Sequence, residues 1–400
     1  IFKCAAYFLK NCSKEDRTAY EAFKNDNADW LDNYANFTSI KQYYDSEAEK
    51  QGISGIAQMW NAFWPKDLAT CDPKAVSKWN AEHTQNIEEI KVVQFFFAEQ
   101  WFSLKDYANK KGISIIGDIP IFVAPDSADV WANQKFFQLD EKGIPLKVAG
   151  VPPDYFSATG QLWGNPLYDW DAMKKDNYSW WVKRTKRMTE LVDILRIDHF
   201  RGFEAYWSIP YGDETAVNGK WIDGPNIALF DAIKKALGEL PIIAEDLGDI
   251  TKEVIDLVEY SGFPGMRVFQ FGFLSMWDTP HRPYNYINNS VAYSGTHDNN
   301  TLLGYLWETP MDVKHDIMRY CACDPDRWNE DGCFAIIRTI MSSNAGLCIF
   351  PVQDLLGYGN DTRLNVPGRA EGNWLYRITK EQLNNIDTQK YRYYNSIYGR

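Results

Sequence analysis

The sequence predicts an α/β fold, a (β/α)₈ barrel with helical insertions, and three observations carry that prediction. Six short runs rich in β-branched and apolar residues recur along the chain. Amphipathic helical patterns lie between most of them, and their C-terminal ends carry acids or amides. Continuous apolar strands alternating with helices describe a parallel sheet covered on both faces. In a barrel such strand ends converge on one rim, where barrel enzymes place their chemistry.

Residues 1–90 read as a mostly helical, polar, Trp-rich insertion subdomain. In "SKEDRTAYEAFKN" (13–25) Ser13 stands as an N-cap with Asp16 three positions on. The stretch 72–112 has helical apolar spacing and stops at Gly112. Residues 91–400 read as the catalytic barrel portion, strands 3 to 8 of the eight. The runs are "ISIIGDIPIFV" (113–123), "VDILRID" (192–198), "LPIIAEDLG" (240–248), "MRVFQFGF" (266–273), "VAYSGTHDN" (291–299) and "GLCIFPVQD" (346–354). Helical patterns at 171–191, 226–238 and 251–262 separate them. Six runs fall short of eight, and the chain opens "IFKCAAYFLKN" without Met or a signal pattern. The expectation is therefore a barrel lacking its N-terminal strands, cut from a longer protein. A doubly wound open sheet is the alternative, but no Gly-rich phosphate fingerprint follows any strand.

A formal charge of −12 argues against nucleic acid or an anionic membrane surface as the main partner. No apolar stretch is long enough to span a membrane. The seven Cys are odd in number and show no paired zinc spacing, which points to idle thiols in a reducing, cytoplasmic compartment. The acids of "DPDRWNEDG" (324–332) miss the positions of a calcium loop. Aromatic residues make up 15% of the chain, which fits either a Trp-rich core or a groove for apolar sugar faces.

The rim acids are Asp118, Asp198, Glu245, Asp246, Asp298 and Asp354, with His297 and Gln353 among them. A single Asp there would be an ordinary helix cap; several together are not. In "DILRID" Arg196 and Asp198 are two apart, so on a strand they share a face and the cation keeps the acid charged. Glu245 follows Pro-Ile-Ile-Ala, so desolvation favours its protonated form. One charged and one protonated carboxyl is the division of labour in retaining glycoside chemistry, with the two groups roughly 5–5.5 Å apart. Asp198 is then the nucleophile, Glu245 the acid/base, and Asp298 the group bracing an oxocarbenium-like transition state, with His297 at the substrate. The segment "GVPPDYFSATGQLWGNPLYDW" (150–170) reads as a long irregular lid, with Tyr155, Phe156 and Trp163 as stacking platforms.

Six ordered motifs also resemble one family: "GDIPIFVAPDSADVWAN", "GVPPDYFSATGQLWGNPLYDW", "RIDHFRGFEAYWSIP", "IIAEDLGDIT", "GTHDNNT" and "RLNVPGRAEGNW". They look like the 4-α-glucanotransferases (amylomaltases, or disproportionating enzymes) of glycoside hydrolase family 77, from about residue 91 to residue 375. The resemblance implies an α-amylase-type barrel, a retaining mechanism, and transfer of α-1,4-glucan segments from a maltooligosaccharide donor to a sugar acceptor. It implies no metal and no organic cofactor. By motif, Asp198, Glu245 and Asp298 take the same three roles that the rim argument gives them. Arg196 and His297 match helper positions. Tyr155, Phe156, Gln161 and Trp163 fall in the loop lining the glucan groove, and Asn365 matches a position near bound sugar.

Three departures stand out. The family's usual "GTHDNDT" reads "GTHDNNT", so an acid is lost at Asn300, which implies altered acceptor contacts. The family's N-terminal barrel motifs are absent. Residues 10–90 match poorly, which implies insertions specific to a subgroup. The other readings of the sequence are a plain α-1,4-glucan hydrolase and a catalytically inactive glucan-binding fragment.

Overall fold

Ser13 Oγ accepts the backbone N–H of Asp16 at 3.0 Å and starts the helix Lys14–Asp26, as the spacing predicts. The structure, a computed structural model, describes residues 1–153, 157–274, 279–329, 331–369 and 371–400. Two compact units emerge, Ile1–Ile242 and Ile243–Arg400.

In the first unit, helices occupy the chain up to Lys110. The long pattern at 72–112 is two helices, Pro73–Glu82 and Thr84–Lys110, broken at His83. Asp72 caps the first of them, accepting from the N–H groups of Lys74 and Ala75, with Pro73 at its first position. Val92 and Phe95 of the second pack on Ala5 and Tyr20, so this helix is held by its apolar stripe. The strands of this unit are β1 (Ile116–Pro120), β2 (Lys147–Val151), β3 (Gln161–Pro166), β4 (Ile194–Asp198), β5 (Ala205–Pro210) and β6 (Lys220–Asp223). β1 and β4 pair in parallel with Asp118 opposite Arg196 and Pro120 opposite Asp198.

The other four strands form a separate antiparallel sheet in the order β3-β2-β5-β6. This corrects the reading of 150–170 as an irregular lid, since β3 lies within that stretch and β2 ends in it. Pro and Gly hid the strands, because short antiparallel strands interrupted by such residues lack a clean alternating pattern. The pattern at 171–191 is likewise two helices, Trp170–Lys175 and Ser179–Leu191, separated by Asn177 and Tyr178 in the left-handed conformation. Part of the aromatic share lies in packing: Trp131, Trp181, Tyr168, Phe200 and Phe203 are fully buried. Each contributes roughly 2–3 kcal/mol of burial.

The second unit takes up β7 (Ile242–Ala244), which crosses the division, then β8 (Gly265–Val268), β9 (Ser290–Tyr293) and β10 (Leu347–Ile349). β7, β8, β9 and β10 pair in parallel in that sequence. All six runs read as strands are therefore strands, shorter than their apolar extents. The run at 266–273 turns into a 3₁₀ helix from Phe269. Helices Leu302–Glu308, Met311–Tyr320 and Gly332–Met341 close over a core that includes Phe269, Ile317, Ile336 and Ile340, each fully buried. Among the described residues no helix is long and apolar enough to cross a membrane.

Candidate active site

In the first unit the parallel register sets Asp118 beside Arg196, and strand periodicity sets Arg196 beside Asp198. The guanidinium joins both acids: Nη1 donates to Asp118 Oδ2, and Nη2 to Asp198 Oδ1 at 3.0 Å. Arg196 is 9% exposed, whereas the two carboxylates are each 44% exposed as side chains. A buried, two-handed cation thus holds two half-exposed acids. Arg suits this because its planar fork engages two carboxylates at once. Asp118 was legible as a rim acid, but its tie to Arg196 is a matter of tertiary register.

The next residue, His199, sits in the left-handed region at φ 52°. Burial, with the Arg201 charge second, pushes its imidazole down to about 4, so it is neutral. Trp163 of β3 meets it edge-on at 4.9 Å between ring centres and remains 37% exposed. Trp163 Nε1 donates to Gln161 Oε1 at 3.2 Å, so Gln161 and Trp163, two apart on β3, share a face and are held together. The expected platforms Tyr155 and Phe156 lie outside the described residues.

In the second unit Glu245 follows β7 behind Ile242, Ile243 and Ala244, all buried, and is itself 8% exposed. Its Oε1 accepts the N–H of Leu247 at 3.0 Å. The adjacent Asp246 does different work. It accepts the N–H of Met266 at 2.6 Å and Arg267 Nη1 at 3.0 Å, fastening β7 to β8. Burial raises its pKa against the pull of Arg267. A Cβ on Gly265 would lie 2.3 Å from the Asp246 carboxylate, so glycine is required for the approach.

Asp298 follows β9 and is held from three directions. Asn365 Nδ2 donates to its Oδ1, His297 Nε2 lies 3.4 Å from its Oδ2, and Arg363 Nη2 donates to its backbone oxygen at 2.8 Å. His297, Asp298 and Asn365 are therefore one cluster. The sequence reading missed Arg363 and Trp374 here, although both lie in the quoted motif 363–374. Trp374, 51% exposed with φ 61°, stands 5.2 Å from the His297 ring. Asn300 is 9% exposed, and its Nδ2 donates to Glu308 Oε1 at 3.0 Å, so its amide is engaged by the fold. Among the described residues no group of three His, Cys, Asp or Glu side chains is placed to hold a metal ion.

Each unit by itself carries carboxyl groups at strand ends and a partly exposed indole, Trp163 in the first and Trp374 in the second, a chemistry suited to a neutral polyhydroxylated ring. Comparison with known proteins agrees. A family model described as 4-alpha-glucanotransferase, glycoside hydrolase family 77, matches residues 2–383. A 4-alpha-glucanotransferase of Synechocystis is 44% identical over 400 residues, covering 99% of this chain and 76% of the relative. One from Thermus thermophilus is 43% identical, covering 94% of this chain and 74% of the relative. The solved amylomaltase of Streptococcus agalactiae in complex with acarbose superposes with a TM-score of 0.90 at 36% identity, covering 98% of this chain and 76% of that one. These matches include the helical residues 10–90, so the expectation that they match poorly is overturned. Motif reading undervalued them because this helical stretch carries no catalytic signature.

Proposed function

The chain belongs to the 4-alpha-glucanotransferase family, glycoside hydrolase family 77, and on that premise we propose how its own residues carry out the reaction. The fold class is the family's (β/α)₈ barrel, and the activity is transfer of α-1,4-glucan segments. The finer assignments follow from the chemistry of each residue.

Asp198 is the nucleophile. Arg196 engages Oδ1, leaving Oδ2 to attack the anomeric carbon of a bound maltooligosaccharide. As that bond forms, the glycosidic C–O bond breaks and Glu245 gives its proton to the leaving oxygen. Glu245, now a carboxylate, takes the proton from the hydroxyl of an incoming sugar. That oxygen displaces Asp198 from the anomeric carbon, and two inversions give retention. Asp298 faces the positive charge that builds at the ring in both steps, with His297 and Asn365 setting its orientation. Gln161 and Trp163, together with Tyr155 and Phe156, bind the glucan chain. The donor is an α-1,4-glucan or maltooligosaccharide and the acceptor another sugar. Residues 1–90 are a helical insertion beside the barrel portion 91–400. All seven cysteines are unpaired, which supports a reducing, cytoplasmic setting.

The observation that carries this reading is the buried Arg196 gripping two half-exposed acids, because it orients a carboxylate at a strand end without closing it off. Maltotriose supplied alone is the test. A ladder of longer and shorter oligosaccharides with glucose is expected, and glucose and maltose without longer products would establish hydrolysis instead.

A further inference from the structure

We propose that Asp354 is a positioning residue for the stabilising carboxylate, holding both ends of the loop that presents His297 and Asp298. The inference rests on the role given to Asp298 above. That loop leaves β9 at Ser294 and enters the helix beginning at Leu302. Asp354, 2% exposed, reaches both points: Ser294 Oγ donates to Oδ2 at 2.6 Å and the N–H of Leu302 donates to Oδ1 at 2.8 Å. A single carboxylate therefore ties the two ends of residues 295–301 together. Burying an acid so deeply is costly unless its oxygens are well satisfied, and both partners here belong to this one loop.

The short helix Val352–Leu356 that carries Asp354 also secures the other side of Asp298. Gln353 Nε2 donates to Thr362 O at 3.0 Å. Thr362 immediately precedes Arg363, which holds the Asp298 backbone, and Asn365, which holds its carboxylate. Gln270 Nε2 fixes the loop from a third direction through Asn300 O at 2.8 Å. Gly304 seals the arrangement: a Cβ there would lie 1.9 Å from Asn360 Oδ1 and 2.4 Å from Asn300 Oδ1. A shift of this short helix would thus move the loop carrying Asp298 and the strand of residues gripping it. Misplacing a catalytic group by about 1 Å costs on the order of 10²-fold in rate.

The clamp also has a protonation state. Burial pushes the Asp354 carboxyl up to about 6, against the donors Ser294 and Leu302, which pull it down. Cys333, on the helix Gly332–Met341, and Tyr391, on the helix Thr388–Tyr398, lie within reach of its charge; burial is the main cause that raises the pKa of both, and the Asp354 charge adds a smaller push in the same direction. Above about 6 the carboxylate accepts from both loop ends. Below it, a protonated Oδ2 turns donor toward Ser294 and the grip on Leu302 weakens.

The test uses the whole chain with an activated α-maltosyl fluoride donor, so that residual rates stay measurable. Four variants are compared with the parent: D354N, S294A, D298A and the double variant D354N/D298A. D354N is expected to lower kcat by about 10- to 100-fold with KM within about twofold. S294A is expected to lower kcat by about 3- to 10-fold, a smaller loss because only one bond goes. The acid limb of log kcat near pH 6 should move or vanish in D354N. Because Asp354 acts through Asp298, adding D354N to D298A should cost less than about twofold more. A D354N enzyme with parental kcat and an unmoved acid limb overturns the proposal, as does a D354N loss that multiplies in full onto D298A. If D354N does not fold, S294A carries the same readouts, alone and combined with D298A. Parental turnover in D298A would instead remove the stabiliser assignment, whatever D354N does.

Discussion

Asn365 Nδ2 lies 2.5 Å from Asp298 Oδ1, donor to acceptor, although the two residues are 67 positions apart. Together with His297 Nε2, 3.4 Å from Oδ2, the contact fixes the rotation of a carboxylate that is 46% exposed. It gives the Asn365 motif a definite task.

Replacing Asn365 with Ala should lower kcat/KM for maltotriose disproportionation by about 10²-fold, the scale seen when one aligned polar group at a transition state is removed. Asn365→Asp should do more harm, because two carboxylates would then compete within hydrogen-bond distance. Its activity should partly return at lower pH. Equal kinetics for the two variants would mean that the charge on Asp298 is not what Asn365 supports.

Arg196→Lys should not rescue Arg196→Ala. A lysine ammonium is a single point charge and cannot reach Asp118 and Asp198 together as the guanidinium fork does. Both variants should lose on the order of 10²-fold or more in kcat, while Asp118→Asn should lose less, because the Asp198 contact survives. Steady-state kinetics of the three variants decides this, and near-parental kcat in the Lys variant would show that one charge suffices.

Asn300→Asp should destabilise the fold rather than change acceptor choice. Its new carboxylate would meet Glu308 Oε1 where an amide now donates. A cost of about 1–2 kcal/mol is expected at neutral pH. Glu308→Gln in the same chain should recover most of it. Thermal melts give the cost, and the product ladder from maltotriose should keep the parental acceptor pattern.

Stability should fall as pH drops from about 6.5 toward 4. Burial first, and a neighbouring arginine second, push both His199 and His281 down to about 4. A histidine with a depressed folded pKa takes up its proton more readily when unfolded, so its contribution is full above the unfolded value and is lost on acidification. The slope per histidine is at most about 1.4 kcal/mol per pH unit. At His281 the cause is visible: Nδ1 accepts the N–H of Val268 at 3.2 Å and must be unprotonated to do so. Asp354 has the opposite sign. Its raised folded pKa of about 6 adds stability as pH falls through that value, which offsets part of the loss. Comparing melting temperatures at pH 7 and pH 5 for the parent and His281→Gln checks the sign, the variant being expected to lose less.

The fold class and much of the chemistry were legible in the chain itself. Apolar runs wrote out the parallel strands because a strand covered on both faces must be apolar throughout, and strand ends marked the acids because chemistry there needs a rigid edge. Asp198 beside Arg196 was readable because alternation along a strand is a local rule. Less visible was the antiparallel sheet β3-β2-β5-β6, whose residues Gly150 and Pro210 break any simple alternation.

What only the tertiary structure decided is which of several similar acids does what. Glu245 and Asp246 are neighbours in an identical local context, yet Asp246 is turned onto Arg267 and the Met266 backbone, and Asp354 is sunk between Ser294 and Leu302. Asn300 reads as part of a catalytic motif but is spent on Glu308. What a carboxyl can do depends also on partners brought from tens of residues away, and the sequence around it does not carry those.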